Sequence, residues 1–317
     1  MPSLQVRRRA TGGAPFGRVI HPRGEATQCD NAVVTPHTTR FAGSRPRPPD
    51  WSASLKIGEL ELHVDVRPGD GSRPPLLICN GIGASLRILD PLVNALDPAI
   101  EVIRFDPPGV GDSPAVTLPY GLPQLAGVLD ELLDELGHDE VDVMGYSWGG
   151  ALAQQFALQR GSRIRNLVLV STSTGAWSVP GTPQAFREML IPRELADAAD
   201  AIVISEFISA APGNETRRTA FTQAHQPTDL RGYLFQLAAV MWWTSLPFLP
   251  LIKQRTLVVG GLDDPIVPPL NAMILANLIP NAALALVPGG HLEIVTSASD
   301  LGSRITEFLD ERAGRAA

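Results

Sequence analysis

Gly145-Tyr146-Ser147-Trp148-Gly149-Gly150 is the stretch that decides the predicted fold. The short apolar run Val141-Asp142-Val143-Met144 precedes it, and strong helix formers follow it in residues 151–158. A strand, a sharp turn with a serine and a helix make up a nucleophile elbow. We expect strained backbone at the serine, and glycines on either side of it because a Cβ there would collide with its neighbours. The five-residue pattern alone arises by chance in about one chain in ten of this length, so its flanking strand and helix carry the prediction.

Length, composition and charge limit the class of protein. The chain has 317 residues, of which 44% are hydrophobic and 19% are charged, as in an ordinary globular protein with a sizeable core. Its net charge of −7 argues against nucleic-acid binding across the whole surface. We expect no transmembrane helix, because no run approaches the roughly 18 apolar residues that a bilayer requires. We also expect no secretory signal, because no apolar stretch follows Arg7-Arg8-Arg9.

Residues 1–50 differ in composition from the rest of the chain. They carry a net charge of +5, which leaves −12 on the remaining residues, and they are rich in Arg, Pro, Gly and Thr. We interpret this segment as a disordered basic tail or as a start assigned too far upstream. The alternative is a basic arm that binds an acidic partner or a granule surface. Of the two cysteines, Cys29 lies in this tail and Cys79 in a predicted buried strand, which favours a reducing compartment and a cytoplasmic location.

The rest of the chain alternates between strand patterns and helix patterns. The predicted strands are a hairpin over 55–66 with its turn at Gly58-Glu59, then 75–80, 101–106, 141–147, 166–171, 255–260 and 284–287. The predicted helices outside the cap are 86–96, 125–136, 148–160, 270–279 and 301–312. This alternation predicts an α/β fold, with a mostly parallel central sheet covered by helices on both faces.

The alternation stops between residues 175 and 250. Helical segments are predicted there around 183–190, 194–209 and 229–241, separated by prolines and glycines. We interpret 175–250 as a helical cap inserted into a core domain formed by 51–174 and 251–317. Most apolar and aromatic side chains of the cap are expected to pack it onto the sheet, and Trp243 is the candidate for lining a substrate pocket.

The serine at the turn, Ser147, needs a base, and the base needs an orienting carboxylate, before the hydroxyl can act as a nucleophile. In a sheet of this kind the acid and then the histidine follow the serine along the chain. His291 lies in a glycine-rich loop after a strand, whereas the other later histidine, His225, lies in the predicted cap. The acid is predicted to be Asp264 at the end of the preceding strand, with Asp263 as the second candidate.

An oxyanion hole requires two backbone donors beside the serine. One is predicted to be the amide of Trp148, directly after the nucleophile. The other is predicted to be the amide of Ile82, in the glycine-containing loop that follows an earlier strand, Asn80-Gly81-Ile82-Gly83-Ala84. Asp106 and Asp112 lie in a loop dense in Pro and Gly and are predicted to stabilise turns.

The chain from about Leu55 to Leu309 resembles the α/β-hydrolases, and among them the intracellular poly(3-hydroxyalkanoate) depolymerases of the medium-chain-length type. The most specific part of the resemblance is 147–157, and further parts are 80–84, 105–111, 179–181, 243–245 and 263–265. The resemblance implies that Ser147, Asp264 and His291 form the family's triad and hydrolyse ester bonds of a stored bacterial polyester. Tyr146 departs from the small apolar residue that the resemblance leads us to expect.

We therefore expect a serine hydrolase that cleaves a hydrophobic ester or polyester through an acyl-enzyme, with no metal or organic cofactor. Alternatives on the same scaffold are a small-molecule esterase, a lactonase or a carbon–carbon bond hydrolase, because a fold does not fix its chemistry. An alternative of another class is a non-catalytic protein that binds a granule surface. In that case Ser147 is only a small residue in a tight turn, Asp264 caps a helix and His291 is a loop residue.

Overall fold

The eight strands of the central sheet follow the order β1-β2-β4-β3-β5-β6-β7-β8 in a computed structural model that describes residues 50–185, 229–292 and 298–311. The strands are β1 Trp51–Ile57, β2 Leu60–Arg67, β3 Leu76–Cys79, β4 Val102–Phe105, β5 Val141–Tyr146, β6 Ile164–Val170, β7 Arg255–Gly261 and β8 Ala282–Val287. The β1–β2 and β2–β4 pairs are antiparallel, and the other neighbouring pairs are parallel. The prediction of a mostly parallel sheet is confirmed.

Helices connect the parallel strands. The described helices are α1 Asp90–Ala95, α2 Leu122–Leu136, α3 Trp148–Arg160, α4 Leu230–Met241, α5 Pro269–Leu278 and α6 Ala298–Asp310, with 3₁₀ turns at Leu86–Leu89, Gly161–Arg163 and Leu246–Leu251. Within the described ranges, no helix has the length and apolar character needed to cross a bilayer.

Only one of the three helices predicted in the cap is described in full. It is α4, which matches the prediction at 229–241. The predicted helix at 194–209, most of that at 183–190, His225 and the tail up to residue 49 lie outside the described residues. The division into a tail, a core domain and a helical cap stays a prediction.

The two faces of the sheet bury separate apolar layers. Side chains alternate along a strand, so Leu77 and Cys79 of β3 join the layer under α2, α3 and α5, while Leu76 and Ile78 join the layer under α1 and α6. Full burial of one such leucine or isoleucine contributes about 1.5–3 kcal/mol to stability. Helices therefore cover both faces of the sheet, as predicted.

Element boundaries differ from the predictions by a few residues. The helix predicted over 86–96 is a 3₁₀ turn followed by α1, whose first turn contains Pro91. Proline has no N–H to donate to the preceding turn, so it interrupts that turn, but it is tolerated in the first turn of a new helix. β8 starts two residues earlier than predicted, and it forms an edge of the sheet with partly exposed side chains.

Parallel strands end at the same edge of the sheet, and this edge carries four loops of interest. They are the loop after β3, the turn between β5 and α3, the loop after β7 and the loop after β8. All the residues predicted for the triad and the oxyanion hole lie in or directly beside these four loops.

Candidate active site

Ser147 lies between β5 and α3 with backbone angles φ 53° and ψ −119°. Residues other than glycine seldom adopt a positive φ, and such strain costs about 1–3 kcal/mol. Hydrogen bonds hold the turn in this conformation. The Ser147 amide donates to the Val170 carbonyl at 2.9 Å, and the Ser147 carbonyl accepts from the Thr172 hydroxyl at 2.7 Å and from the Gly150 amide at 2.9 Å.

The glycines beside the serine are required by close packing. A Cβ on Gly145 would lie 2.7 Å from the Cβ of Ala153 in α3. A Cβ on Gly149 would overlap the backbone carbonyls of Cys79 and Asn80, where α3 passes over the end of β3. A side chain at either flanking glycine would therefore collide with its neighbours, as expected. The collisions would involve the neighbouring helix and strand.

The structure brings together the three residues predicted for the triad. His291 Nε2 lies 2.9 Å from Ser147 Oγ, and His291 Nδ1 lies 2.7 Å from Asp264 Oδ2. An ionised carboxylate only accepts hydrogen bonds, so Nδ1 is the protonated nitrogen and Nε2 faces the serine hydroxyl. Both His291 and Asp264 are buried, at 6% and 4% exposure, so little water competes for these contacts.

The loop after β7 fixes the carboxylate of Asp264. Its Oδ1 accepts the backbone amides of Ile266 at 2.9 Å and Val267 at 2.8 Å, which leaves Oδ2 directed at His291. The second candidate, Asp263, has an exposed side chain, and its backbone amide donates to Gly289 at 3.0 Å. The geometry thus favours Asp264 over Asp263.

Tyr146, the residue that departs from the resemblance, contacts the histidine loop. Its hydroxyl donates to the backbone carbonyl of His291 at 2.7 Å. Its ring centroid lies 5.3 Å from that of the imidazole, at an interplanar angle of 36°. The sequence analysis missed this role, because nothing in the local pattern indicates a partner 145 positions away.

The loop after β3 presents the amide of Ile82. The Gly81 amide is occupied by Asn80 Oδ1 at 2.7 Å, and the Gly83 amide by Gln236 Oε1 at 2.7 Å. Among the described residues, no acceptor contacts the amide of Ile82. The amide of Trp148 is the first of α3, where N–H groups have no acceptor within the helix. These two amides are therefore available beside Ser147.

A cavity of about 580 Å³ opens beside Ser147. Its lining is mainly apolar and includes Ile82, Trp148, Val179, Leu237, Val240 and Met241. Leu237, Val240 and Met241 share one face of α4, and their i, i+3, i+4 spacing was the signal that could have predicted them.

Trp243, predicted for the pocket, does not line this cavity. Its side chain is buried in the core layer under α3, and its indole N–H donates to Gln155 Oε1 at 2.6 Å. It therefore fastens the segment after α4 to α3, which is the packing role predicted for most apolar residues of 175–250.

Asp106 stabilises its turn, as predicted. Its carboxylate accepts the amides of Leu86 at 2.7 Å and Asp112 at 3.0 Å, while burial raises the pKa of the group. Asp106, Asp112 and His63 are close enough to share a metal ion. Since both oxygens of Asp106 already hold backbone amides, the turn accounts for this cluster without a metal.

The comparison with known proteins identifies the family. The profile of the alpha/beta hydrolase fold matches residues 74–298. The chain belongs to the α/β-hydrolase family. The predictions of the fold class and of a hydrolase are thereby confirmed.

One relative matches over most of both chains. It is a poly(3-hydroxyalkanoate) depolymerase of Ectopseudomonas oleovorans, with 41% identity over 268 residues, which cover 83% of this chain and 94% of the relative. The predicted resemblance to these depolymerases is confirmed. This relative also supports the coarser prediction that the enzyme hydrolyses esters.

Solved structures agree on the fold. An enol-lactonase from Burkholderia xenovorans LB400 has a TM-score of 0.73 and 25% identity, and the match covers 82% of this chain and 100% of that one. The 2-hydroxy-6-oxo-6-phenylhexa-2,4-dienoate hydrolase of Rhodococcus sp. strain RHA1 has a TM-score of 0.71 and 19% identity, with 83% and 99% covered. At that identity the second likeness shows the fold alone.

Proposed function

We propose that the enzyme depolymerises a poly(3-hydroxyalkanoate) by hydrolysing its ester bonds through an acyl-enzyme on Ser147. The observation that carries the proposal is the pair of contacts that His291 makes, with Ser147 Oγ at 2.9 Å and with the Asp264 carboxylate at 2.7 Å. These are the distances at which a base can take the serine proton and a carboxylate can orient the base.

The mechanism has two halves. Ser147 Oγ attacks the ester carbonyl while His291 Nε2 takes the hydroxyl proton, and Asp264 stabilises the imidazolium that results. The amides of Ile82 and Trp148 stabilise the tetrahedral oxyanion, which collapses as His291 protonates the leaving alkoxide. Water then attacks the acyl-enzyme with His291 as the base again, and the released acid restores Ser147.

The proposed substrate class is supported by the cavity and by one of the relatives. The apolar lining from α4 and the loop after β6 suits aliphatic side chains of a polyester rather than charged or sugar groups. The relative of Ectopseudomonas oleovorans, at 41% identity, is a depolymerase of such a polymer. We place the enzyme in the cytoplasm, at the polymer granule, on the basis of the resemblance.

The test compares hydrolysis of amorphous medium-chain polyester by the wild-type enzyme and by Ser147→Ala. We expect the wild type to release 3-hydroxyacids. The rate of the variant should be lower by a factor of about 10³ or more, because the nucleophile is lost. Ser303→Ala, which removes an exposed hydroxyl on α6, is the matched control and should keep full activity. Comparable release by wild type and Ser147→Ala would contradict the proposal.

A lactonase is the second candidate, because the enol-lactonase of Burkholderia xenovorans matches at 25% identity over its full length. The same assay therefore includes a panel of small esters and lactones. Turnover of lactones without release of 3-hydroxyacids from the polymer would favour the second candidate over the first. Absence of turnover on every substrate would favour a non-catalytic granule-binding protein.

A further inference from the structure

The loop that follows β3 is joined to the cap helix α4 by the side chain of Gln236. Its Oε1 accepts the backbone N–H of Gly83 at 2.7 Å. Gly83 has a positive φ of 62° and directly follows Ile82, whose amide is one of the two proposed oxyanion donors. The contact thus fixes the backbone on the carboxyl side of that donor.

The same residue contacts the other half of the proposed oxyanion hole. The backbone carbonyl of Gln236 accepts the indole N–H of Trp148 at 2.8 Å. Trp148 supplies the second donor through its backbone amide. One residue of α4 therefore contacts the backbone next to one proposed donor and the side chain of the residue that supplies the other.

The burial of the Gln236 side chain argues against a role in stability alone. The residue is completely buried, and its Nε2 has no hydrogen-bond partner among the described residues. A buried donor without an acceptor lowers stability, so the amide group of Gln236 carries a cost that an apolar side chain of similar length would not. What an apolar side chain could not do is accept the N–H of Gly83.

We infer that Gln236 is a positioning residue of the oxyanion hole, which it serves by fixing Gly83 and through it the amide of Ile82. The inference rests on the proposed function. Oxyanion donors act only when they lie within hydrogen-bond distance of the charge that develops in the transition state. A displacement of about 1 Å can lower the rate about 10²-fold. Loss of the contact should therefore lower kcat and leave KM nearly unchanged, because the ester binds before the charge develops.

Two variants break the contact in different ways. Gln236→Met keeps the length of the side chain without its acceptor, and Gln236→Asn keeps an amide that is one methylene too short to reach Gly83. The matched control is Gln254→Met. Gln254 also has a buried atom for which the described residues supply no partner, and its Nε2 donates to the carbonyl of Gly161 at 2.8 Å, at the end of α3 that is remote from Ser147.

The experiment measures kcat and KM for a soluble p-nitrophenyl ester, per active site titrated to completion with a fluorophosphonate. This normalisation counts only folded molecules, and Gln236→Asn provides the test if Gln236→Met does not fold. We expect kcat to fall about 10- to 100-fold in both Gln236 variants, with KM within about 3-fold of wild type. Inhibition by a trifluoromethyl ketone, whose adduct with the serine carries an oxyanion, should weaken in parallel with kcat. Gln254→Met should match wild type.

Two results would overturn the inference. The first is a kcat within about 2-fold of wild type in a folded Gln236 variant, and the second is an equal loss of kcat in Gln254→Met. Ser147→Ala, assayed alongside, separates this outcome from failure of the proposed function. If Ser147 is required and the Gln236 variants are fully active, only the role of Gln236 is wrong. If Ser147 is not required for ester hydrolysis, the proposed function itself is wrong.

Discussion

At the scale of the residue, hydrogen bonds and close packing around the turn hold the strained backbone of Ser147. The hydroxyl of Thr172 and the carbonyl of Val170 hold its two peptide groups. Gly145 and Gly149 let α3 approach the ends of β5 and β3 more closely than any side chain would allow. The position of Ser147, the proposed nucleophile, therefore depends on residues that carry no reactive group.

Gly149→Ala should destabilise the protein by about 3 kcal/mol or more, because its Cβ would overlap backbone that cannot move aside. Gly127→Ala is the matched control. Gly127 lies inside α2, and a Cβ there would meet no atom within 4 Å, so alanine should stabilise the helix by about 0.5–1 kcal/mol. Urea unfolding followed by circular dichroism measures both changes. Equal stability of the two variants would contradict the packing argument.

Tyr146→Phe should lower the free energy of unfolding by about 1–2 kcal/mol, because the buried carbonyl of His291 loses the tyrosine as a donor. Tyr120→Phe is the control, since the Tyr120 hydroxyl lies 3.4 Å from the Pro108 carbonyl and makes at most a weak bond. It should change stability by less than about 0.5 kcal/mol. Urea unfolding measures the stability of both variants. An equal effect of the two substitutions would contradict a stabilising role for the hydrogen bond from Tyr146 to the His291 carbonyl.

Residues of the site differ in how far the sequence could predict them. Ser147, Asp264 and His291 could be located because each ends or follows a recognisable strand, and parallel strands end at one edge. The contacts of Tyr146 with His291 and of Gln236 with Gly83 could not, because no motif or strand-end position in the sequence links these side chains to their partners. The prediction that Trp243 lines the pocket rests on its place in a segment that resembles the family, and such a resemblance does not say which way a side chain points.

At the scale of the element, ion pairs fasten α2 to α3. Asp130 of α2 contacts Arg160 at 2.6 Å and Arg163 at 2.8 Å. Burial raises the pKa of Asp130, but the hydrogen bonds from the two arginines outweigh it, so the pKa lies below the usual value. The ionised carboxylate is therefore favoured in the folded state, and its contribution to stability is present above the pKa of the unfolded chain, about 3.9.

Asp130→Asn should lower the free energy of unfolding by about 1 kcal/mol at pH 7. The difference from wild type should shrink as the pH falls below about 4, because protonation then removes the same contribution from the wild type. Glu135→Gln, an exposed change on α2 without an ion-pair partner among the described residues, should have little effect at either pH. Urea unfolding at pH 7 and pH 3 provides the measurement. A difference that stays constant with pH would contradict the assignment.

Elements with a clear hydrophobic period were predicted well. The hairpin of β1 and β2, with Gly58 at φ 58°, and the leucine stripe of α2, ended by Gly137, match their predictions. The hydrophobic period is contained in the local sequence, which is why these elements could be predicted. The early start of β8 depends on pairing with β7, which no local pattern contains. The break between the 3₁₀ turn and α1 has a local cause, Pro91, which the helix period alone does not take into account.

At the scale of the whole molecule, the sheet separates two apolar layers, and the residues proposed for catalysis lie at its carboxyl edge. Cys79 shows how closed this interior is, because it lies at the end of a central strand with no exposed surface. Burial raises the pKa of its thiol, so the thiolate that reacts with disulfide reagents is not formed near neutral pH.

In a Cys29→Ser variant, Cys79 should not react with Ellman's reagent at pH 8 while the protein is folded. It should react fully in concentrated guanidinium chloride, where the sheet is lost. Absorbance of the released thiolate follows the reaction. Rapid reaction of the folded variant would show that the centre of the sheet opens to solvent and would contradict the two-layer description.

The central claim is that Ser147 is the nucleophile, and mass spectrometry of a covalent adduct tests it most directly. The enzyme is incubated with a fluorophosphonate, digested and mapped, so that the modified residue is read from the peptide masses. We predict one phosphonate per chain on Ser147 in the wild type, the same in Ser303→Ala and none in Ser147→Ala. An adduct on another residue, or a wild-type enzyme that remains unmodified, would contradict the account.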